Sequence, residues 1–203
     1  MKNSLWTVPN VLTFVRIVSS ILIFAVLPFG CYITGFVLFV LGALTDFADG
    51  WWARRFHQVT KLGRILDPFA DKLLVCGTLI YLVSIPELVG VPLPGCGWKL
   101  GLAPWMAVVI VSRELLVTML RAIVEGGGGD FSAKWLGKIK MGFQCVGIGA
   151  CFVYMILHQR GTEWTWVTLT MIVCLWGMIW TAVHSCINYI FAAMRAMRGT
   201  ASV

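Results

Sequence analysis

The sequence predicts an all-α integral membrane protein with six transmembrane helices, on the strength of its composition, its apolar segments and its loop charges. Hydrophobic residues make up 59% of the chain and mean hydropathy is +0.87, far from an average soluble domain. Six apolar segments reach the length of about 20 residues that a helix needs to cross a bilayer, at residues 10–29, 32–56, 67–89, 104–125, 135–158 and 164–191. Lysine and arginine favour cytoplasmic loops. With the amino terminus inside, Lys2, Arg54, Arg55, Lys61, Arg64, Lys72, Lys134, Lys138, Lys140, Arg195 and Arg198 fall on the inner side, with Lys99 and Arg160 outside. Both termini are therefore expected in the cytoplasm, with residues 1–203 forming one membrane domain.

The first span follows Lys2, as a signal peptide would, but Arg16 interrupts the apolar run and no A-x-A site follows, which predicts a retained helix. The second span ends in D-F-A-D-G-W-W-A-R-R-F-H, and the third opens on L-D-P-F-A-D after a short polar segment. The fourth carries S-R-E-L-L-V-T-M-L-R and leads into glycines 126–129, expected as a flexible cytoplasmic loop. The fifth opens with W-L-G-K-I-K-M-G-F-Q, and the sixth is expected to run past the bilayer toward Arg198. Trp6, Trp98, Trp105, Trp135, Trp164 and Trp166 sit near span ends, as interfacial anchors do. The seven cysteines include no C-x2-C pair and read as small apolar residues. His57, His158 and His184 are isolated, and no internal repeat is evident. The net charge of +7 is spread over separate loops, which suits anionic headgroups and phosphorylated substrates and argues against nucleic acid.

The densest chemistry lies between Asp46 and Asp71, where four aspartates interrupt apolar sequence. A carboxylate at the centre of a spanning helix costs about 3 kcal/mol by insertion scales, so four without partners would cost roughly 10 kcal/mol. Carboxylates crowded at membrane depth suit hard divalent cations, which take oxygen ligands. At about 100° per residue, Asp46, Asp49, Gly50 and Ala53 share one face within about 100°, with Trp51 and Trp52 pointing well away. Asp67 and Asp71 are one turn apart on the next helix. Four carboxylates are thus expected to converge between two antiparallel helix ends.

The pattern D-x2-D-G-x2-A-R-x8-G-x3-D-x3-D, met at Asp46, Asp49, Gly50, Ala53, Arg54, Gly63, Asp67 and Asp71, resembles that of the CDP-alcohol phosphatidyltransferase family. The resemblance implies transfer of a phosphatidyl group from a CDP-activated lipid to an alcohol, with release of CMP. It implies that Asp46, Asp49 and Asp67 ligate Mg²⁺ or Mn²⁺, as a pair of ions, with Asp71 ligating or lying beside them. Asp71 would also take the proton of the acceptor hydroxyl. Gly50 and Ala53 would give the nucleotide a surface to lie against, Arg54 would reach phosphate, and Thr60 with Gly63 would close the loop around it. Asn10 resembles a family position near the CDP moiety, with a helix N-cap as the alternative role.

Arg113, Glu114, Val117, Arg121 and Glu125 fall within about 120° on the fourth span, and charges on one face of a spanning helix point to a water-filled cavity. Gly137, Lys140 and Gln144 share a face of the fifth, and Lys138 points elsewhere. Arg113, Arg121, Lys138 and Lys140 are therefore candidates to hold the phosphate of an acceptor. The structural alternative pairs Arg113 with Glu114 or Glu125 and leaves the lysines as inner-loop charges. The combination R-E-x6-R with G-K-x-K-x3-Q resembles the bacterial branch of the family that uses glycerol 3-phosphate. That implies CDP-diacylglycerol and glycerol 3-phosphate as substrates, phosphatidylglycerophosphate as product, the inner membrane as location, and a homodimer as assembly. Phosphatidylglycerol, inositol phosphate or serine are the alternative acceptors. A divalent-cation transporter is a different class of reading; it needs polar residues at successive depths, whereas these carboxylates lie at one end.

Overall fold

The computed structural model describes residues 8–56, 61–126, 134–162 and 164–200, with side chains except at 8–9, 47–56, 61–62, 64, 121–126, 134–139, 192–193 and 195–200. The helices are α1 Val8–Val26, α2 Tyr32–Phe56, α3 Lys61–Lys72, α4 Thr78–Val83, α5 Pro104–Gly126, α6 Lys134–Gln159 and α7 Thr165–Thr200. Among the described residues there is no strand, only an isolated bridge between Pro92 and Lys99. Asn10–Phe29, Lys140–Gln159 and Thr165–Phe191 are long and apolar enough to cross a membrane, and Tyr32–Asp46 is a shorter apolar helix. The protein is an all-helical membrane protein, and α7 extends to Thr200 as its sequence predicts. Of the glycine loop expected at 126–129, Gly126 is instead the last residue of α5, and 127–129 lie outside the described residues.

The third expected span departs from one continuous helix over 67–89. Helix begins six residues earlier, at Lys61, and a π-helical segment, Leu73–Gly77, separates α3 from α4, which ends at Val83. Pro68 lies inside α3, where its missing N–H removes one ladder bond, and π segments of this kind widen a helix locally. Pro86 explains the early end, because a residue before proline avoids the α region.

Helix α1 shows how the bundle is held. Asn10, Thr13, Arg16, Ser20 and Ile23, with Leu27 just past the helix end, are all buried, a stripe at helical period that is polar as far as Ser20 and apolar beyond it. Phe14, Ile21 and Leu22 on the opposite face are exposed, as a lipid-facing surface should be. The stripe packs chiefly against α2, with α3 and the π segment beside it. Gly77 lets it approach: a Cβ there would stand 2.3 Å from the Phe24 ring. Gly177 does the same on α7 for Phe143 of α6, the use of small residues expected where helices pack in lipid.

The core joins Phe39 of α2 to Phe152 of α6, ring centroids 5.9 Å apart, with Leu74, Leu79, Ile148, Met171 and Met178 around them. The end of the bundle away from the aspartates is tied by Gln159 Nε2 donating to the Gly30 carbonyl and Trp176 Nε1 donating to that of Leu100. Gly101 in that region has no room for a side chain, since a Cβ would lie 2.5 Å from the Leu88 carbonyl oxygen and 2.6 Å from the Val91 nitrogen. Both obstacles are backbone and cannot rotate away. Gly101→Ala is therefore expected to destabilise the protein by about 1–3 kcal/mol, as overpacking does, read as a lower thermal midpoint in detergent.

Candidate active site

Two polar clusters occupy one end of the bundle. The first is where α1 meets α2 and α3. Arg16, fully buried, places Nη1 2.9 Å from Oδ1 of Asp46, whose side chain is 27% exposed. Three residues earlier on the same stripe, the Thr13 hydroxyl donates to Oδ1 of Asp67. Helix α1 thus grips one carboxylate from each of the next two helices. A guanidinium this buried is tolerable only with a counter-charge, and removing one partner of such a pair costs about 3–5 kcal/mol.

Asp46, Asp49, Gly50, Ala53 and Arg54 lie on the single helix α2, which runs unbroken to Phe56, so the register behind their common face holds in the backbone. The side chains of Asp49, Gly50, Ala53 and Arg54 lie outside the described residues, and so does all of Thr60. Helix α3 carries Gly63, Asp67 and Asp71, with Gly63 and Ala70 buried and Asp71 partly so. Asn10 is buried in the first turn of α1, which begins at Val8. The N-cap alternative for Asn10 therefore does not hold, because the helix already includes it.

No three acidic, histidine or cysteine side chains among the described residues form a metal-binding group by themselves. Asp46 and Asp67 are each turned toward α1 by the partners just named. Their donor set is nonetheless carboxylate oxygen throughout, which fits a hard divalent cation in kind.

The second cluster joins α5, α6 and α7. Glu114 Oε1 accepts from Arg113 Nη1 at 3.2 Å and from Gln144 Nε2 at 3.3 Å, and it is ion-paired with Lys140. Arg113 also donates through Nε and Nη2 to Ser185 Oγ, at 3.0 and 2.5 Å, and its guanidinium lies 5.8 Å from the centroid of the Tyr189 ring. Of the four expected acceptor residues, Arg113 and Lys140 are thus brought together through one carboxylate. The side chains of Arg121 and Lys138 lie outside the described residues. Asp71, one turn beyond Asp67 on α3, lies within the electrostatic reach of Asp46 and Arg16 of the first cluster and of Lys140 and Glu114 of the second, as Cys145 on α6 lies within reach of Asp46 and Lys140.

Arg16, Thr13, Ser185 and Tyr189 were not among the residues expected from sequence. Arg16 and Thr13 were findable: a buried-helix stripe with an arginine in it demands a named acidic partner. Ser185 had no such signal, because its partner is 72 residues away.

An all-helical membrane protein that sets paired helical carboxylates beside a buried cationic network has the parts of an enzyme acting on phosphorylated lipids at one end of its bundle. The chain belongs to the CDP-alcohol phosphatidyltransferase family, which it matches over residues 6–193; it is a transferase of phospholipid biosynthesis. It is 34% identical over 175 residues to the CDP-diacylglycerol–glycerol-3-phosphate 3-phosphatidyltransferase of Bacillus subtilis, covering 78% of this chain and 81% of the relative. The enzyme of the same name from Rickettsia bellii is 30% identical over 171 residues, with 83% and 84% covered. A probable phosphatidylglycerophosphate synthase of Mycobacterium tuberculosis is 29% identical over 196 residues, with 94% and 83% covered.

Proposed function

We propose that this chain transfers the phosphatidyl group of CDP-diacylglycerol to glycerol 3-phosphate, giving phosphatidylglycerophosphate and CMP. The observation that carries the reading is the pair of polar clusters at one end of the bundle, one holding Asp46 and Asp67 against α1 and the other gathering Arg113, Lys140 and Gln144 on Glu114. In this reading Asp71, one turn beyond Asp67 on α3, is the base that serves the activated lipid and the acceptor. The acceptor hydroxyl forms the new bond to the lipid-linked phosphorus, the bond between the two phosphorus centres through the CMP oxygen breaks, and the hydroxyl proton passes to Asp71.

Asp46, Asp49, Asp67 and Asp71 would hold Mg²⁺ or Mn²⁺, two ions in this reading, which when bound polarise the pyrophosphate and stabilise charge on the leaving group. Asn10, Gly50, Ala53, Arg54, Thr60 and Gly63 line the nucleotide side. Arg113, Arg121, Lys138 and Lys140 receive the acceptor phosphate through charge-assisted bonds. In this reading α3, the π segment and α4 together make the third of six spans of a single domain. The site lies at the cytoplasmic ends of the second and third, both termini are cytoplasmic, and the enzyme sits in the inner membrane, as a homodimer.

Purified protein with CDP-diacylglycerol, Mg²⁺ or Mn²⁺ and a panel of acceptors tests the assignment by CMP release. Arg121→Ala is expected to raise the KM for glycerol 3-phosphate by about tenfold or more, and Lys140→Ala by less, with little change in the KM for CDP-diacylglycerol. Equal turnover with serine, inositol phosphate or phosphatidylglycerol would remove the acceptor assignment and leave the phosphatidyltransferase class.

A further inference from the structure

Among the described residues, the bonds that Glu114 receives arrive at one oxygen, Oε1, and the donors stand on two helices: Arg113 on α5, Lys140 and Gln144 on α6. Helices α5 and α6 share little direct packing and meet mainly through α7, against which both pack, so this carboxylate is a direct link between them. The three charged side chains are nearly dry, with Arg113 6%, Glu114 11% and Lys140 13% exposed. Two like charges buried together repel, and a lysine on its four-carbon stem has no fixed direction of its own. Glu114 supplies the direction.

Arg113 is set independently from the other side. Ser185 donates its own hydroxyl proton to the Ala182 carbonyl at 3.3 Å, which leaves its oxygen to accept both Nε and Nη2 of Arg113. With Nη1 on Glu114, three of the five guanidinium donors are engaged among the described residues. In the proposed acceptor pocket, the other two would be the donors to an incoming phosphate.

We propose that Glu114 is the positioning residue of the acceptor pocket: by fixing Lys140 against Arg113 it sets where the acceptor phosphate binds. The proposal rests on the reading that a phosphate-bearing acceptor enters here. It makes a prediction of unusual sign. Among the described residues the charges near Glu114 are Arg113, Lys140 and the carboxylate of Asp71. Neutralising Glu114 leaves the pocket more positive, so charge alone predicts tighter phosphate binding. Positioning predicts weaker binding, because Lys140 loses its anchor.

Glu114→Gln keeps the shape and an oxygen to accept from Gln144, and removes only the ionic anchor. It is expected to raise the KM for glycerol 3-phosphate by about tenfold, with kcat within about threefold and the KM for CDP-diacylglycerol within about twofold. Glu114→Asp, which restores the charge on a shorter arm, is expected to recover part of the loss. Ser185→Ala frees Arg113 without touching Glu114 and is expected to show the same pattern at about threefold; if Glu114→Gln does not fold, Glu114→Asp decides the matter through a KM for glycerol 3-phosphate raised by about threefold. An unchanged or lower KM for glycerol 3-phosphate in Glu114→Gln, or in Glu114→Asp where that is the variant that folds, overturns the proposal. So does a parallel loss of kcat, both KM values and thermal stability that Glu114→Asp fails to recover. Absence of wild-type turnover with glycerol 3-phosphate overturns the acceptor reading itself, and is told apart because it is seen before any variant is made.

Discussion

Chelation of divalent cations is expected to reduce CMP release to background, and Asp46→Ala, Asp49→Ala and Asp67→Ala are each expected to do the same with metal present. Carboxylates gathered at the end of two apolar helices cannot all stay ionised without compensating positive charge, and one buried guanidinium carries a single charge against four. A loss of about 1,000-fold in kcat corresponds to ~4 kcal/mol of barrier, a reasonable size for removing a ligand of the ions that stabilise the leaving group. The variants should differ in stability. Asp46→Ala also removes the carboxylate paired with buried Arg16 and should cost about 3–5 kcal/mol in addition to its effect on turnover. Metal titrations of activity and thermal midpoints with and without Mn²⁺ measure the two effects separately. Full turnover in excess chelator would sink the metal assignment for all four aspartates.

What could be read from sequence follows from how local each signal is. The common face of Asp46 and Asp49 depends only on register within α2, and the helix runs through it unbroken. Likewise Lys140 and Gln144 were expected to share a face, and both reach Glu114. The division of the third span was not legible, because a π segment depends on how Leu74 and Gly77 pack against α2 and α1 rather than on any period. Arg16 was read only as an interruption of a hydrophobic run, although its charge alone required a partner. Ser185 and Tyr189 join the site by tertiary contact with Arg113, to which no spacing in the chain points. The structural alternative for Arg113, pairing with Glu114, is present in the fold. It does not exclude the acceptor role, because the same pairing orients the guanidinium.

Asp71→Asn is expected to leave affinity for CDP-diacylglycerol within about tenfold, roughly 1.4 kcal/mol, while kcat falls by about 10²–10⁴-fold, the range for loss of a general base. Asparagine preserves the volume and one oxygen, so packing beside Ala70 and the electrostatic neighbours of α1 and α6 are changed only in charge and in the capacity to take a proton. The distinction from Asp67 is positional. Asp67 is held by Thr13 on the α1 side, whereas Asp71, one turn further along α3, is the carboxylate that also interacts with Lys140 and Glu114. A residue poised between the two clusters should act on the step that joins two substrates, and so on kcat more than on either KM. Single-turnover measurements with CDP-diacylglycerol pre-bound separate the two effects. Should Asp71→Asn instead lose nucleotide binding and keep its rate at saturation, Asp71 holds metal and does no proton transfer, and the base must be sought elsewhere.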